Sequence, residues 1–276
     1  MKTTLLQPLL RPSRRAVSGV VYGTLSFLLI AARASAFSYP DFSSTAGLNL
    51  TGNAAQVGSV IRLTPAAQSQ KGAAWYTQKQ FVAGGFSTTF TFRITNLGNS
   101  GGDGISFAVQ NGGTGILGTE YGAESNSVPI GLGVSLDTFP NPDIGEVSDN
   151  FVAITTNGSH YVVQRDLNGT LNLSDGNLHS VQVDFNGASM SVSIDSISLL
   201  SNIAVPMSLA TDIGGNAWVG FGARTGNAFE NQDLTSWTFA VPEPGSAALL
   251  LCGFGLFWSL RRRLQSARPD VLHPMI

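Results

Sequence analysis

The sequence predicts an all-β protein, a sandwich of antiparallel strands spanning residues 37–240. Three observations carry that prediction. Several short segments alternate apolar and polar residues with period two, which buries one face of a strand. Asn-Gly and Asp-Gly pairs separate them, and such pairs accept the left-handed conformations of tight hairpins. No stretch between Phe37 and Ala240 carries the period of an amphipathic helix. With 12% charged residues and 32 glycines in 276, the chain also lacks the composition of a coiled coil, a helical bundle or a charge-rich disordered segment.

Taken in order, Phe86–Thr95 sets Phe86, Phe90, Phe92 and Ile94 on one face. Gly104–Gln110 does the same with Ile105, Phe107 and Val109. Val134–Asp137 reads as a strand that runs into a polar loop. Ser180–Phe185 and Ser189–Asp195 follow, with turn pairs at Asn168-Gly169, Asp175-Gly176 and Asn186-Gly187. Trp218–Gly222, a Gly-rich loop over Ala223–Gly226 and a closing strand to Phe239 complete the series. Many short strands at this spacing make a sandwich or a barrel. No internal repeat points to a propeller or solenoid.

The two ends read as addresses. Residues 1–36 combine Lys2, Arg11, Arg14 and Arg15, an apolar stretch from Val17 to Ala32, and the small-x-small site Ala34-Ser35-Ala36. That is a secretory signal peptide, with Phe37 starting the mature chain. An ordinary basic n-region accounts for the Arg14-Arg15 pair better than a twin-arginine signal does. Residues 241–265 hold Val241-Pro242-Glu243-Pro244, an apolar run from Gly245 to Leu260 and Arg261–Arg263, followed by a short tail over 266–276. The run is slightly short of the roughly 20 residues of a full span, and the arginines would stay cytoplasmic. It carries the one cysteine, Cys252, which excludes a disulfide framework and reads as a small packing residue.

Nine of the 15 Lys and Arg lie in those two ends. The body over 37–240 has six basic against 15 acidic residues, a net charge of −9. Nucleic-acid binding needs basic patches, so the body argues against it. Acid-rich loops suit hard cations such as calcium.

Three patches carry the candidate chemistry. In Gly101-Gly102-Asp103-Gly104 an acid sits among glycines at the start of a strand. In the second patch Asp137, Asn141 and the Phe139 carbonyl can offer oxygens to one centre, with Glu146 or Asp149 returning after the turn at Gly145. Spacing alone leaves a calcium loop and an ion-free polar loop equally open. The third is the Gly-rich loop Ala223-Arg224-Thr225-Gly226 and the strand leading to Trp237 and Phe239.

Together the patches resemble the L-type (legume-like, concanavalin A-like) lectin family, over nearly all of Phe37–Ala240. Leu48–Ala54, Ile61–Pro65 and Gly72–Tyr76 resemble its first strands. Leu136-Asp-Thr-Phe-Pro-Asn-Pro-Asp-Ile-Gly145 is similar to its metal loop, Asp175-Gly176 with His179–Val183 to a later strand, and Leu234–Phe239 to the last. The resemblance implies a concanavalin A-like jelly roll and a calcium-dependent carbohydrate-binding module. It implies that Asp103, after a cis peptide bond, accepts hydrogen bonds from sugar hydroxyls. Asn141 would bind calcium and donate to the sugar, and Phe139 would give calcium its carbonyl and stack on the pyranose. Ala223, Arg224, Thr225 and Gly226 would set sugar preference, partly through backbone N–H groups, and Gly118 would supply another. The calcium ligands would be Asp137, Phe139, Asn141 and Glu146, with Asp149 as a substitute.

The sequence departs from the family at the second metal. That site needs an acid where Ser135 stands and a histidine where Phe151 stands, so no manganese site is expected. Glu146 is one methylene longer than the family's bridging aspartate. His160 and His179 read as surface or strand-edge residues without a role. The sequons at Asn49, Asn157, Asn168 and Asn172 read as incidental. The C-terminal order of Pro-Glu-Pro, apolar run and arginine cluster is similar to the PEP-CTERM sorting signal of Gram-negative bacteria. That implies exosortase-type processing, a transient membrane stage and a final place at the cell surface or in the extracellular matrix, among glycans or exopolysaccharide.

Two other functions compete. Glycosidases of this architecture carry Glu-x-Asp-x-x-Glu along one strand, but Asp137 is flanked by Ser135 and Phe139, so the expectation is no enzyme. A structural matrix protein that kept the lectin fold and lost sugar binding is the alternative, favoured by Ser135, Phe151 and Glu146 and opposed by Asp103 and Asn141.

Overall fold

A computed structural model describes residues 36–117, 131–157 and 160–242. The expected signal peptide up to residue 35, Gly118, and the sorting signal from residue 243 onward lie outside the described residues. No helix among the described residues is long and apolar enough to cross a membrane.

The body is a sandwich of two eight-stranded sheets, every pairing antiparallel. In chain order the strands begin β1 (Ala36–Tyr39), β2 (Leu48–Gly52), β3 (Ala55–Val57), β4 (Val60–Thr64), β5 (Lys71–Tyr76) and β6 (Gln80–Phe81). Then come β7 (Phe86–Gly98), β8 (Gly104–Gln110), β9 (Gly131–Asp137), β10 (Phe151–Thr156) and β11 (His160–Asp166). The last are β12 (His179–Phe185), β13 (Ser189–Ile194), β14 (Ile197–Ala204), β15 (Asn216–Arg224) and β16 (Phe229–Ala240). A single 3₁₀ turn, Pro142–Ile144, interrupts the strands among the described residues.

One sheet runs β14-β13-β12-β7-β16-β4-β3, with β1 added beside β16. The other runs β11-β10-β9-β8-β15-β5-β2, with β6 added beside β15. The alternation seen in the sequence points inward as expected. Phe86, Phe90, Phe92 and Ile94 from β7 face Ile105, Phe107 and Val109 from β8 across a continuous apolar core. Aromatic rings lock the sheets together: Phe221 meets Phe90 and Trp237 edge-on, each at 4.8 Å between centroids. The three turn pairs hold their glycines at positive φ, between 79° and 94° at Gly169, Gly176 and Gly187.

The strands that carry the site depart from simple alternation. β8, β9 and β10 are buried along their whole length, on both faces. Their second face is built of small and polar residues: Gly104, Ser106 and Ala108 in β8, then Gly133, Ser135 and Asp137 in β9. Burying polar groups there costs free energy unless they are paired, so this face carries the chemistry.

His179 corrects an expectation. It is 3% exposed, with Nδ1 2.7 Å from Asp195 and Nε2 3.1 Å from Asp175, beneath the ring of Phe92. The β12–β13 hairpin brings Asp195 back over it, which sequence spacing hides.

Candidate functional site

One cross-strand row builds the site. Reading across the second sheet, Arg224 of β15 stands opposite Gly104 of β8, Gly104 opposite Asp137 of β9, and Asp137 opposite Phe151 of β10. Gly104 has no alternative: a Cβ there would lie 2.2 Å from the Leu136 carbonyl oxygen, at φ +130°. Asp137 is therefore set at a strand end against bare backbone, fully buried.

Two loops close over that row. The Gly102–Asp103 peptide is cis, as the family resemblance implies. Asp103 donates its N–H to the Arg224 carbonyl at 3.0 Å and accepts the Thr138 N–H at 3.0 Å. These bonds tie the β7–β8 loop to both neighbouring strand ends. The second loop leaves β9 at Thr138. Asp137 Oδ1 accepts the Phe139 N–H at 2.9 Å, turning the chain back over the carboxylate. Phe139 then packs on Gly102, where an added Cβ would sit 2.9 Å from Phe139 Cβ. Asp103, Phe139 and Asp137 are thereby brought to one corner.

Asn141 and Glu146 meet across the 3₁₀ turn. Glu146 Oε2 accepts the Asn141 backbone N–H, and Oε1 accepts the Tyr161 hydroxyl at 3.0 Å. The end of the Asn141 amide lies 3.3 Å from both oxygens of that carboxylate. With the nitrogen placed there the amide donates to both; half a revolution about its last bond presents an oxygen at the same point.

That spacing is one that two calcium ligands can have. Oxygens about 2.4 Å from one cation at a right angle lie about 3.4 Å apart. Asp137, the Phe139 carbonyl, Asn141 and Glu146 supply the hard oxygen donors that calcium takes, and the residues present fit it. They do not fit a second, transition-metal ion. Ser135 is buried with no hydrogen-bond partner for its hydroxyl among the described residues, and Phe151 offers only a ring. Among the described residues no three His, Cys, Asp or Glu side chains cluster as a metal group.

Other expected site residues stand elsewhere. Asp149 is exposed and accepts the Asn168 amide at 3.2 Å, lining a polar cleft of about 550 Å³ with Thr138 and residues 168–172. It does not substitute for Glu146. Ala223 is a central-strand residue paired on both sides, with Ile105 and Gly72. Thr225 is fully buried: its N–H goes to Gln70 and its hydroxyl to Ala67. The Gly226 N–H donates to Ala228 at 3.0 Å. The N–H groups of Thr225 and Gly226 are therefore spent inside the protein, one on Gln70 and the other on the loop's own Ala228 carbonyl. What this segment brings to Asp103 is the Arg224 side chain, whose Nε lies 3.2 Å from Asp103 Oδ2, and the open face of Gly226.

Glu230 was not anticipated. Fully buried at the start of β16, it accepts hydrogen bonds from Thr138 at 2.7 Å, Gln232 at 3.1 Å and Ser174 at 3.3 Å, and lies under Gly101. Burial pushes its carboxyl above the ordinary glutamate value, and these donors, with the Gly102 N–H, pull the other way. Its signal in the sequence was an acid at the start of the closing strand.

The family model for the legume lectin domain matches residues 34–248. The chain belongs to the legume lectin domain family. An L-type lectin-domain containing receptor kinase, I.7 of Arabidopsis thaliana, is 28% identical over 235 residues, 74% of this chain and 35% of the kinase. This legume lectin domain thus spans about a third of the length of such relatives. Agglutinin-2 of Cladrastis kentukea is 27% identical over 172 residues, covering 56% of this chain and 57% of the agglutinin. Among solved structures, a Bauhinia forficata lectin in complex with GalNAc overlays with a TM-score of 0.65 at 22% identity, covering 77% of this chain and all of that one. A calcium- and Man3GlcNAc-bound VIP36 domain overlays at 0.58 and 18% identity, covering 73% and 86%. These likenesses show the fold.

Proposed function

We propose that this chain is a calcium-dependent carbohydrate-binding module rather than an enzyme. The observation that carries the reading is the corner where Phe139, bonded through its N–H to buried Asp137, packs on Gly102 next to Asp103, with the Asn141–Glu146 pair in the loop just beyond. Calcium, when bound, supplies a charge that turns the Asn141 oxygen inward and leaves its N–H₂ facing solvent. Asp103 then presents a carboxylate acceptor, Asn141 a donor and Phe139 an aromatic face, the three groups a pyranose needs. The Arg224 guanidinium holds one Asp103 oxygen and fixes the direction in which the other accepts.

The setting is part of the same proposal. The residue order at the two ends supports export through the N-terminal signal and sorting through the PEP-CTERM-like segment. That route places the module at a Gram-negative cell surface or matrix, where glycans and exopolysaccharide are its partners.

A glycan array with the full chain, with and without EDTA, tests the reading. Binding should be lost in EDTA and in Asp103→Ala, since each charge-assisted hydrogen bond contributes about 1.5–3 kcal/mol at a shallow site. Binding unchanged in both would reject the site. An array with no binder at all would favour the matrix protein that has lost sugar binding.

A further inference from the structure

The place of the absent second ligand set is filled. Ser135, its cross-strand neighbour Ala153, and Phe151 lie on the buried second face of β9 and β10, where Asp137 also lies. Tyr161 of β11 reaches into the same region. Its ring meets the Phe151 ring edge-on at 6.0 Å, and its hydroxyl donates to Glu146 Oε1 at 3.0 Å. The β10–β11 ladder shifts register between Ile154 and Thr155, and Tyr161 is paired with Thr155 just beyond the shift. Such irregularities re-aim side chains.

We propose that Tyr161 is a positioning residue that makes this a one-cation site, its phenol doing for Glu146 what a second metal does in two-metal members of the family. Glu146 has one more rotatable bond than aspartate, so ordering it for a cation costs more entropy. Two separate anchors remove that freedom. The Asn141 N–H holds Oε2 and the Tyr161 hydroxyl holds Oε1, so the carboxylate is already turned toward Asn141. Phe151 seals the far side with an apolar ring that no divalent ion can use. Partners of this kind, which orient a ligand without touching the metal, typically contribute 10- to 100-fold in metal affinity.

The inference rests on the calcium reading, and titration calorimetry of the full chain separates the two. Wild type should take up one calcium per chain, and manganese should compete for that ion's place without adding a second. Tyr161→Phe keeps the ring on Phe151 and removes the anchor. It should weaken calcium binding at least about tenfold and leave the melting temperature of the calcium-free chain nearly unchanged. Two ions bound per wild-type chain would overturn the inference, whatever the variant does. Unchanged calcium affinity in Tyr161→Phe would overturn it while sparing the calcium reading. No calcium uptake by wild type would overturn both.

Discussion

The two halves of the cradle between β9 and β10 share one backbone and differ in chemistry. At Asp137 the strand presents a buried carboxylate, and the loop beyond it gathers Phe139, Asn141 and Glu146. Two residues earlier, on the same face, it presents Ser135 opposite Ala153, while Phe151, opposite Asp137, carries the Tyr161 ring against its edge. Register, burial and strand pairing are the same in both. The fold therefore fixes where ligands can stand and leaves open whether they do; a buried carboxylate and an unpaired hydroxyl beside small and apolar residues occupy adjacent positions of one ladder.

The comparison breaks most completely at Asp137. Asp137→Ala should abolish calcium uptake and, through it, glycan binding, by calorimetry with calcium and then on the array. Retention of both would mean the polar half is no site. Next in size, Ser135→Glu asks whether the plugged half tolerates a charge. A carboxylate buried there without a partner should destabilise the chain by about 3–5 kcal/mol in urea unfolding. An unperturbed midpoint would show that water or an ion reaches it.

Glu230 sharpens the contrast from below, because it is a buried carboxyl bonded to neutral donors. Its folded-state value is raised, so the unfolded chain gives up the proton first. Stability from this group is complete below the ordinary glutamate value and falls as pH rises from there through the raised value. Gln at this position does not titrate. The melting temperature of Glu230→Gln minus that of wild type should therefore climb with pH across that window, and a flat difference would contradict it. The smallest effect belongs to Ser135→Ala. Removing a buried hydroxyl without a partner should leave stability within about 0.5 kcal/mol of wild type or raise it.

Much of this was legible in the residues. Alternation gave β7, β12 and β13 to within a few residues, because one face of each is more buried than the other, and β8 was legible because its polarity alternates although both its faces are buried. The Asp137–Glu146 loop was legible as a strand end running into a polar turn at Gly145, though its spacing alone did not say whether an ion sits in it. What stayed hidden depends on contacts between distant segments. Arg224 reaches Asp103 across 121 positions, Tyr161 reaches Glu146 beyond the register shift, and Glu230 lies under Gly101, which precedes it by 129 residues. The sugar-facing N–H groups at 223–226 were implied by the family resemblance alone, and those of Thr225 and Gly226 are taken by Gln70, 155 positions earlier, and by Ala228.

The pairing of β1 with β16 has a geometric result. Ala36 stands opposite Ala240, so the polypeptide enters and leaves the body side by side, about one strand spacing apart. β16 starts at the site, with Glu230 under Gly101, and runs to that exit through ten further residues, on the order of 30 Å. Any support fastened to the chain beyond Val241 would thus hold the domain by the end opposite the corner at Gly101 and Glu230.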